Sequence, residues 1–342
     1  MNVLIVRLGA LGDIVHAIPV AAALRRACPD ARIDWLVSAK HREILDLVPV
    51  LSSRLAVNDR GGAAGGAPLA VAIGAIRKAR YDVVLDLQGL IKSALIARMS
   101  GAPRVVGFTG RYLREPLARL LYKERHDPGG GGIYHPDETR HVVHINLGLL
   151  EPLGLRAAEP EFPIAVTRSP VAEDVAGRAG GPYALLNPGA AWPNKRWPPD
   201  RLAALARALR QRHGVASAVI WGPGERPLAE QVVALAEGAA LLVPETRIAD
   251  IVALARRASV MVSGDTGPTH IAAAVGTPVV GIYGPTRPER NGPWRAGDVS
   301  VKAPDCECHH LRACRRARMC LLDIEVGDVL TAVERRLEVG RA

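Results

Sequence analysis

The sequence predicts an α/β protein built from two doubly wound parallel sheets, and three observations carry that expectation. Apolar runs of four or five residues recur at short intervals, segments of helical periodicity separate them, and the alternation restarts after a Pro- and Gly-containing passage from Glu159 to Pro182. Parallel strands need helical crossovers, so strand and helix in alternation imply a parallel sheet wrapped on both faces. The chain has 342 residues, and at about 150 residues per domain that is enough for two cores.

In chain order, Val3-Leu-Ile-Val6 reads as a buried strand, Ile14 to Arg26 as a helix and Ile33 to Val37 as a strand. Leu69 to Arg80 is expected to be helical, Val83 to Leu87 extended and Ile91 to Met99 helical. The run Asp127-Pro-Gly-Gly-Gly-Gly-Ile-Tyr134 interrupts this pattern as a flexible loop. Beyond Pro182, strands are expected at Tyr183 to Leu186, Ala218 to Trp221, Val260 to Ser263 and Val279 to Tyr283. Helices are expected at Arg201 to Arg212, Leu228 to Glu237, Ile248 to Arg257 and His270 to Val275, with a terminal amphipathic helix over Val326 to Val339. Open α/β sheets bind ligands beyond the carboxyl ends of their strands, and two in tandem are expected to present those ends to a shared crevice.

Composition narrows the function classes. With 49% hydrophobic and 23% charged residues the chain is neither disordered nor collagen-like. No apolar stretch reaches the roughly 20 residues of a membrane helix, and Met1 to Val6 is too short for a signal peptide's core, so a soluble chain that stays in the cytosol is expected. The net charge of +10 suggests an anionic partner: nucleic acid, an acidic lipid surface or a phosphorylated small substrate. The basic residues are scattered and aromatics make up only 4%, which argues against nucleic acid. Five cysteines, an odd number, argue against a secreted disulfide framework.

Three loops that follow strands carry candidate chemistry. In Arg7-Leu-Gly-Ala-Leu-Gly-Asp-Ile-Val-His16 two glycines allow a tight turn and put Asp13 at the start of a helix. Asp13 could be a helix cap. A carboxylate there also disfavours a pyrophosphate and suits proton abstraction. In Leu186-Asn-Pro-Gly-Ala-Ala-Trp-Pro-Asn-Lys-Arg-Trp-Pro198, Lys195 and Arg196 are expected to project from a proline-stiffened loop toward an anion, the alternative being a solvated basic loop whose base Trp192 and Trp197 pack. In Val262-Ser-Gly-Asp-Thr-Gly-Pro-Thr-His270, the amides of Thr266 and Gly267 and the hydroxyls of Thr266 and Thr269 are expected to meet a phosphate at a helix N-terminus. Asp265 and Thr266 as a cap, with His270 a satisfied core histidine, is the structural alternative.

These loops, with Asp86-Leu-Gln-Gly-Leu-Ile-Lys-Ser93 and Arg114-Glu-Pro-Leu-Ala-Arg-Leu-Leu-Tyr122, give the chain its resemblance to the lipopolysaccharide heptosyltransferases of glycosyltransferase family 9 over essentially its full length. The last two stretches look most like heptosyltransferase I, the subgroup that transfers the first heptose to Kdo. The resemblance implies a GT-B fold, two Rossmann-like domains facing across a cleft. It divides the chain into an acceptor-binding domain over 1–165, an ADP-sugar-binding domain over 166–325 and a C-terminal helix over 326–342. It further implies transfer from ADP-L-glycero-D-manno-heptose to the Kdo and inner core of lipopolysaccharide, and a cytoplasmic enzyme held peripherally at the inner leaflet of the inner membrane.

By the same resemblance Asp13 corresponds to the catalytic base, Lys195 to the contact with the donor phosphates, and Asp265, Thr266, Gly267 and His270 to the loop holding pyrophosphate and sugar. Glu225 falls near a ribose-binding glutamate, in a loop one residue shorter than some members have. Ala190 and Ala191 stand where some members carry Thr-Thr, so backbone amides would replace hydroxyl contacts with the donor. Lys92, Arg111 and Arg114 are expected to hold the anionic acceptor. No Asp-x-Asp pair follows a strand, so cationic side chains are expected in place of a magnesium ion and no cofactor is expected.

Cys306, Cys308, Cys314 and Cys320 cluster with His309 and His310 in an Arg-rich segment. They offer enough ligands for zinc without the usual Cys-x2-Cys spacing, and either a structural metal or reduced cysteines packing a loop fits. Other readings of the chain are a heptosyltransferase II-type or other family 9 transferase, a nucleotide-sugar epimerase of the same architecture, and a non-catalytic polyanion binder.

Overall fold

In the first unit, Met1–Ala165, the opening apolar run becomes β1 (Asn2–Val6), fully buried from Val3 onward because parallel neighbours flank it on both edges. The other strands are β2 (Arg32–Ser38), β3 (Ser53–Val57), β4 (Val83–Asp86), β5 (Arg104–Phe108) and β6 (Glu124–His126). All pairs are parallel, in the order β3-β2-β1-β4-β5-β6. This is the Rossmann order, and it reverses direction between β1 and β4. The computed structural model describes every residue except 59–64, 136, 157, 158, 305, 307, 309, 310 and 340–342.

Helices α1 (Leu11–Val15), α2 (Ile18–Ala27), α3 (Arg42–Asp46), α4 (Leu69–Ala79), α5 (Ile91–Met99) and α6 (Val142–Gly148) complete this unit. The single helix expected over Ile14 to Arg26 is therefore two. Pro19 has no N–H to continue α1 and stands instead in the first turn of α2. At the break, the amide of Asn146 donates to the His16 carbonyl at 3.1 Å.

The second unit, Val166–Ala342, repeats the order with β7 (Tyr183–Asn187), β8 (Ala216–Val219), β9 (Ala240–Leu242), β10 (Val260–Gly264), β11 (Val279–Tyr283) and β12 (Val299–Lys302). They pair in parallel as β12-β11-β10-β7-β8-β9, reversing between β7 and β10. The Pro- and Gly-containing passage from Glu159 to Pro182, for which no element was named, contains α7 (Pro170–Ala179), whose start is capped by the Ser169 hydroxyl accepting from Ala172 N–H at 3.1 Å. The remaining helices are α8 (Pro199–His213), α9 (Arg226–Leu235), α10 (Ile248–Arg257), α11 (Gly267–Val275), α12 (Pro288–Asn291) and α13 (Val326–Val339). The core on one side of this sheet joins α8, α9 and α13 with Trp197 and with Cys306, Cys308 and Cys320. No helix among the described residues is long and apolar enough to cross a membrane.

Candidate active site

The strand order of each unit reverses at one point, and the loops that follow the two strands flanking that point are where an open α/β sheet binds its ligand. In the first unit these are the loops after β1 and β4. Leu8 and Gly9 N–H groups both donate to Gln88 Oε1, at 2.9 and 3.2 Å, so the loop after β4 holds the loop after β1. Arg7 adds to this by donating to the Leu87 carbonyl. Asp13 is the third residue of α1: its Oδ2 accepts from Ala10 N–H at 3.2 Å and pairs with Arg7 Nη2 at 2.8 Å. Its side chain is nonetheless 45% exposed. Asp13 is thus a cap and an accessible carboxylate at once.

Asp86, at the end of β4, is fully buried and gathers the N–H groups of Gln88 and Gly89 and the hydroxyls of Ser93 and Tyr122, at 2.8, 3.3, 2.8 and 2.8 Å. Burial raises its carboxyl above the usual range, and these donors only partly oppose the rise. Its task is to shape the turn that presents Gln88 and Lys92. Lys92 sits in the first turn of α5, and Glu115 caps that helix by accepting from Ile91 N–H at 2.6 Å. Glu115 N–H donates to the Gly89 carbonyl at 3.2 Å, so exposed Arg114 is brought to the same turn. Arg111 is paired with Asp127 at 2.5 Å.

In the second unit the loops after β7 and β10 meet. Lys195 Nζ is 2.6 Å from Asp265 Oδ2, and His270 Nε2 is 2.9 Å from Asp265 Oδ1. Burial would raise the Asp265 carboxyl, but the His270 hydrogen bond and the Lys195 charge outweigh it and hold it far below the usual carboxylate range. The ammonium also lies 4.4 Å from the centre of the Trp192 ring. Gly264 permits this approach, since a Cβ there would stand 2.7 Å from the Lys195 carbonyl oxygen. Beside it, a Cβ on Gly189 would lie 2.0 Å from Glu225 Oε2, so Glu225 reaches across to the turn after β7. Ala190 is buried and Ala191 exposed.

Two expectations need correction. Lys195 and Arg196 do not project: Lys195 is only 14% exposed, and Arg196 Nε donates to the Ala190 carbonyl at 2.9 Å. The hydroxyls of Thr266 and Thr269 do not face outward either. Thr266 Oγ1 lies 3.1 Å from Asn187 Nδ2 and 2.9 Å from Thr269 Oγ1, which donates to the Gly264 carbonyl at 2.6 Å. What this turn offers an anion is therefore the amide end of α11, which has no side-chain cap among the described residues. Gln88, Asp86 and Asn187 stand within the singled-out stretches but were given no role there, although an acid or amide ending an apolar run is a signal that could have found Asp86 and Asn187.

Of the cysteine segment, Cys306 and Cys320 Sγ are 3.0 Å apart and Cys308 and Cys314 Sγ 3.3 Å apart. His309 and His310 lie outside the described residues.

Comparison with known proteins agrees with this architecture. Residues 72–318 match glycosyltransferase family 9 (heptosyltransferase). Lipopolysaccharide heptosyltransferase 1 of Pseudomonas aeruginosa strain PAO1 is 29% identical over 309 residues, 88% of this chain and 83% of that protein. The structure of a Veillonella parvula glycosyl transferase of family 9 superposes with a TM-score of 0.81 at 20% identity, covering 99% of this chain and 97% of that one. The E. coli heptosyltransferase WaaC with ADP-2-deoxy-2-fluoro heptose gives 0.74 at 25% identity, covering 98% and 99%. The two parallel six-stranded sheets are those of the GT-B heptosyltransferases, and the chain belongs to glycosyltransferase family 9.

Proposed function

We propose that this heptosyltransferase of the lipopolysaccharide core moves heptose, with inversion, from an ADP-heptose donor to the Kdo-terminated inner core. The observation that carries the reading is the turn at the strand reversal of the second unit, where Lys195 and the uncapped N-terminus of α11 offer a cation and free amides to a diphosphate. An arriving diphosphate competes with Asp265 for the ammonium, while His270 remains as the partner of Asp265. Gly267 contributes its N–H at the first position of α11, and Glu225 is suited to accept hydrogen bonds from a ribose. The ADP-sugar complex of the E. coli relative supports the choice of donor.

In the chemical step Asp13 takes the proton of the acceptor hydroxyl as that oxygen bonds to the anomeric carbon, and the bond from that carbon to the β-phosphate oxygen breaks. Negative charge grows on the departing ADP. Lys195 and the α11 amides are placed to stabilise it, each such donor contributing about 2.7–4 kcal/mol in a water-excluded site. Lys92, Arg111 and Arg114 provide positive charge for the Kdo carboxylates and lipid A phosphates, with Arg111 shared with Asp127.

Membrane association has its own support. Ile91, Leu95 and Met99 repeat at helical spacing along α5, and all are exposed. The 3₁₀ turn Pro116–Leu121, packed against α5, exposes Leu117 and Leu120 at 63% and 69%. Exposed Arg98, Arg114 and Arg119 lie on the same two elements and their approach. An apolar patch among arginines suits an anionic bilayer surface. The assay for the proposed activity incubates purified protein with ADP-heptose and heptose-free, Kdo-terminated lipopolysaccharide. A mass gain of one heptose on the acceptor is expected, and an unchanged acceptor beside intact donor would refute the reading.

A further inference from the structure

We propose that Cys306, Cys308, Cys314 and Cys320 form a tetrahedral four-thiolate site for a divalent transition metal, zinc or iron, which clamps the segment between β12 and α13 against the Lys195 loop. The spacing is Cys-x-Cys-x5-Cys-x5-Cys, outside any regular strand or long helix. A segment of this kind has few backbone ladders to hold it. Yet three of its sulfurs converge: Cys306 and Cys320 are 3.0 Å apart, and those of Cys306, Cys308 and Cys320 all lie within 4.8 Å of one another, while Cys314 joins them through Cys308 at 3.3 Å. A tetrahedral metal with bonds of about 2.3 Å to sulfur sets its ligands about 3.8 Å apart, a spacing the three mutually close sulfurs and Cys314 reach by sub-ångström to ångström-scale side-chain shifts. The two short separations are tighter than unbonded sulfurs favour.

The surroundings suit thiolates. Arg315 N–H donates to Cys308 Sγ at 3.3 Å, the kind of outer contact that orients a metal-bound sulfur. Arg312, Arg315, Arg316 and Arg318 lie between the last cysteines, and a divalent ion with four thiolates carries a net double negative charge for them to offset. An all-sulfur tetrahedral set selects zinc or iron over magnesium or calcium. All four cysteines are free thiols in the structure, three of them buried.

The clamp reaches the anion-binding turn directly. Asn194 Nδ2 donates to the Leu311 carbonyl at 2.9 Å, and Arg312 lies 5.7 Å from the centre of the Trp192 ring whose face Lys195 also occupies. Cys320 Sγ lies 3.1 Å from where a Cβ on Gly284, just past β11, would be. The functional consequence rests on the donor-binding reading of Lys195, whereas the metal itself does not.

The test is elemental analysis of protein purified under anaerobic conditions and then loaded with zinc or ferrous salt and desalted. About one metal per chain is expected, released by a mercurial as the four thiols are titrated, and absent from a Cys308→Ser and Cys314→Ser double variant. Wild-type protein loaded with cobalt, which needs no variant to fold, should show the thiolate charge-transfer and tetrahedral ligand-field bands. Less than a tenth of an equivalent after loading would overturn the proposal. So would full metal retention in the double variant, or an intact mass short of four hydrogens, which marks two disulfides. Metal removal should also weaken ADP binding several-fold, and unchanged affinity would overturn the clamp. Failure of the metal-loaded protein to bind ADP at all would instead count against the donor reading and leave the metal content standing.

Discussion

Asp265 illustrates how one residue organises the second unit's site. Its carboxylate is largely shielded from solvent, which alone would favour the neutral form, yet His270 and Lys195 keep it ionised far into acid. Lys195→Ala should lower kcat by about 10²–10³-fold through loss of leaving-group stabilisation. Because Asp265 keeps His270, the stability loss should fall short of the about 3–5 kcal/mol expected when a buried ion loses its only partner. Steady-state kinetics and urea unfolding check the two halves of this prediction separately. In the first unit, hydrogen bonds from Arg140 lower the Glu138 carboxyl to about 2, against the opposing effect of burial. A depressed acid stabilises the fold above its unfolded pKa, and that stabilisation is lost as pH falls through the folded value. The stability advantage of wild type over Glu138→Gln should therefore shrink by up to about 3 kcal/mol as pH drops from about 5 to about 2. An unchanged difference would mean that the Arg140 contact contributes nothing. Asp13 and Asp265 were legible in the sequence because each sits in a Gly-containing turn directly after an apolar run, whereas Lys195, in a proline-stiffened loop past β7, and His270, inside α11, stood out through the motifs around them. Gln88 was not, since the amides it holds belong to Leu8 and Gly9, eighty and seventy-nine positions away.

At the scale of elements, the central strands were legible and the outer ones were not. β1, β4, β7, β10 and β11 are covered on both edges and faces, so they are nearly all apolar. β3, β6, β9 and β12 lie at or toward the sheet margins, are only partly buried, and mix charged or small residues into runs of three to five. β5 offered only Val105 and Val106 before Gly107, where the Tyr122 ring occupies the space a Cβ would take. The close approach of β10 to the Lys195 loop gives a test of how tightly these elements are coupled. Gly264→Ala would force a Cβ against the Lys195 backbone carbonyl, a group that cannot rotate away as a side-chain tip can. ADP affinity measured by calorimetry should fall and the melting temperature should drop. Wild-type values for both would show that the loop and strand are not held together.

For the molecule as a whole, the number of cores followed from length and from the restarted alternation. The identical order of the two sheets did not, because pairing between distant strands decides it and leaves no local trace. The net charge of +10 pointed to an anionic partner without choosing one, and the bilayer surface proposed above rests on the exposed leucines beside arginines on the first unit. The protein should float with vesicles containing anionic lipid, and Leu117→Ser with Leu120→Ser should reduce that fraction while leaving ADP affinity unchanged. Equal flotation with and without the two leucines would remove the patch from the account. The proposed division of labour between a proton-accepting first unit and a diphosphate-binding second unit is tested most directly by Asp13→Asn, which keeps an oxygen acceptor for the Ala10 N–H and for Arg7 and removes the negative charge that serves as the base. The expected result is a fall in kcat of about 10²–10⁴-fold with ADP affinity and melting temperature preserved. Turnover within a few-fold of wild type would contradict it and leave Asp13 as a helix cap alone.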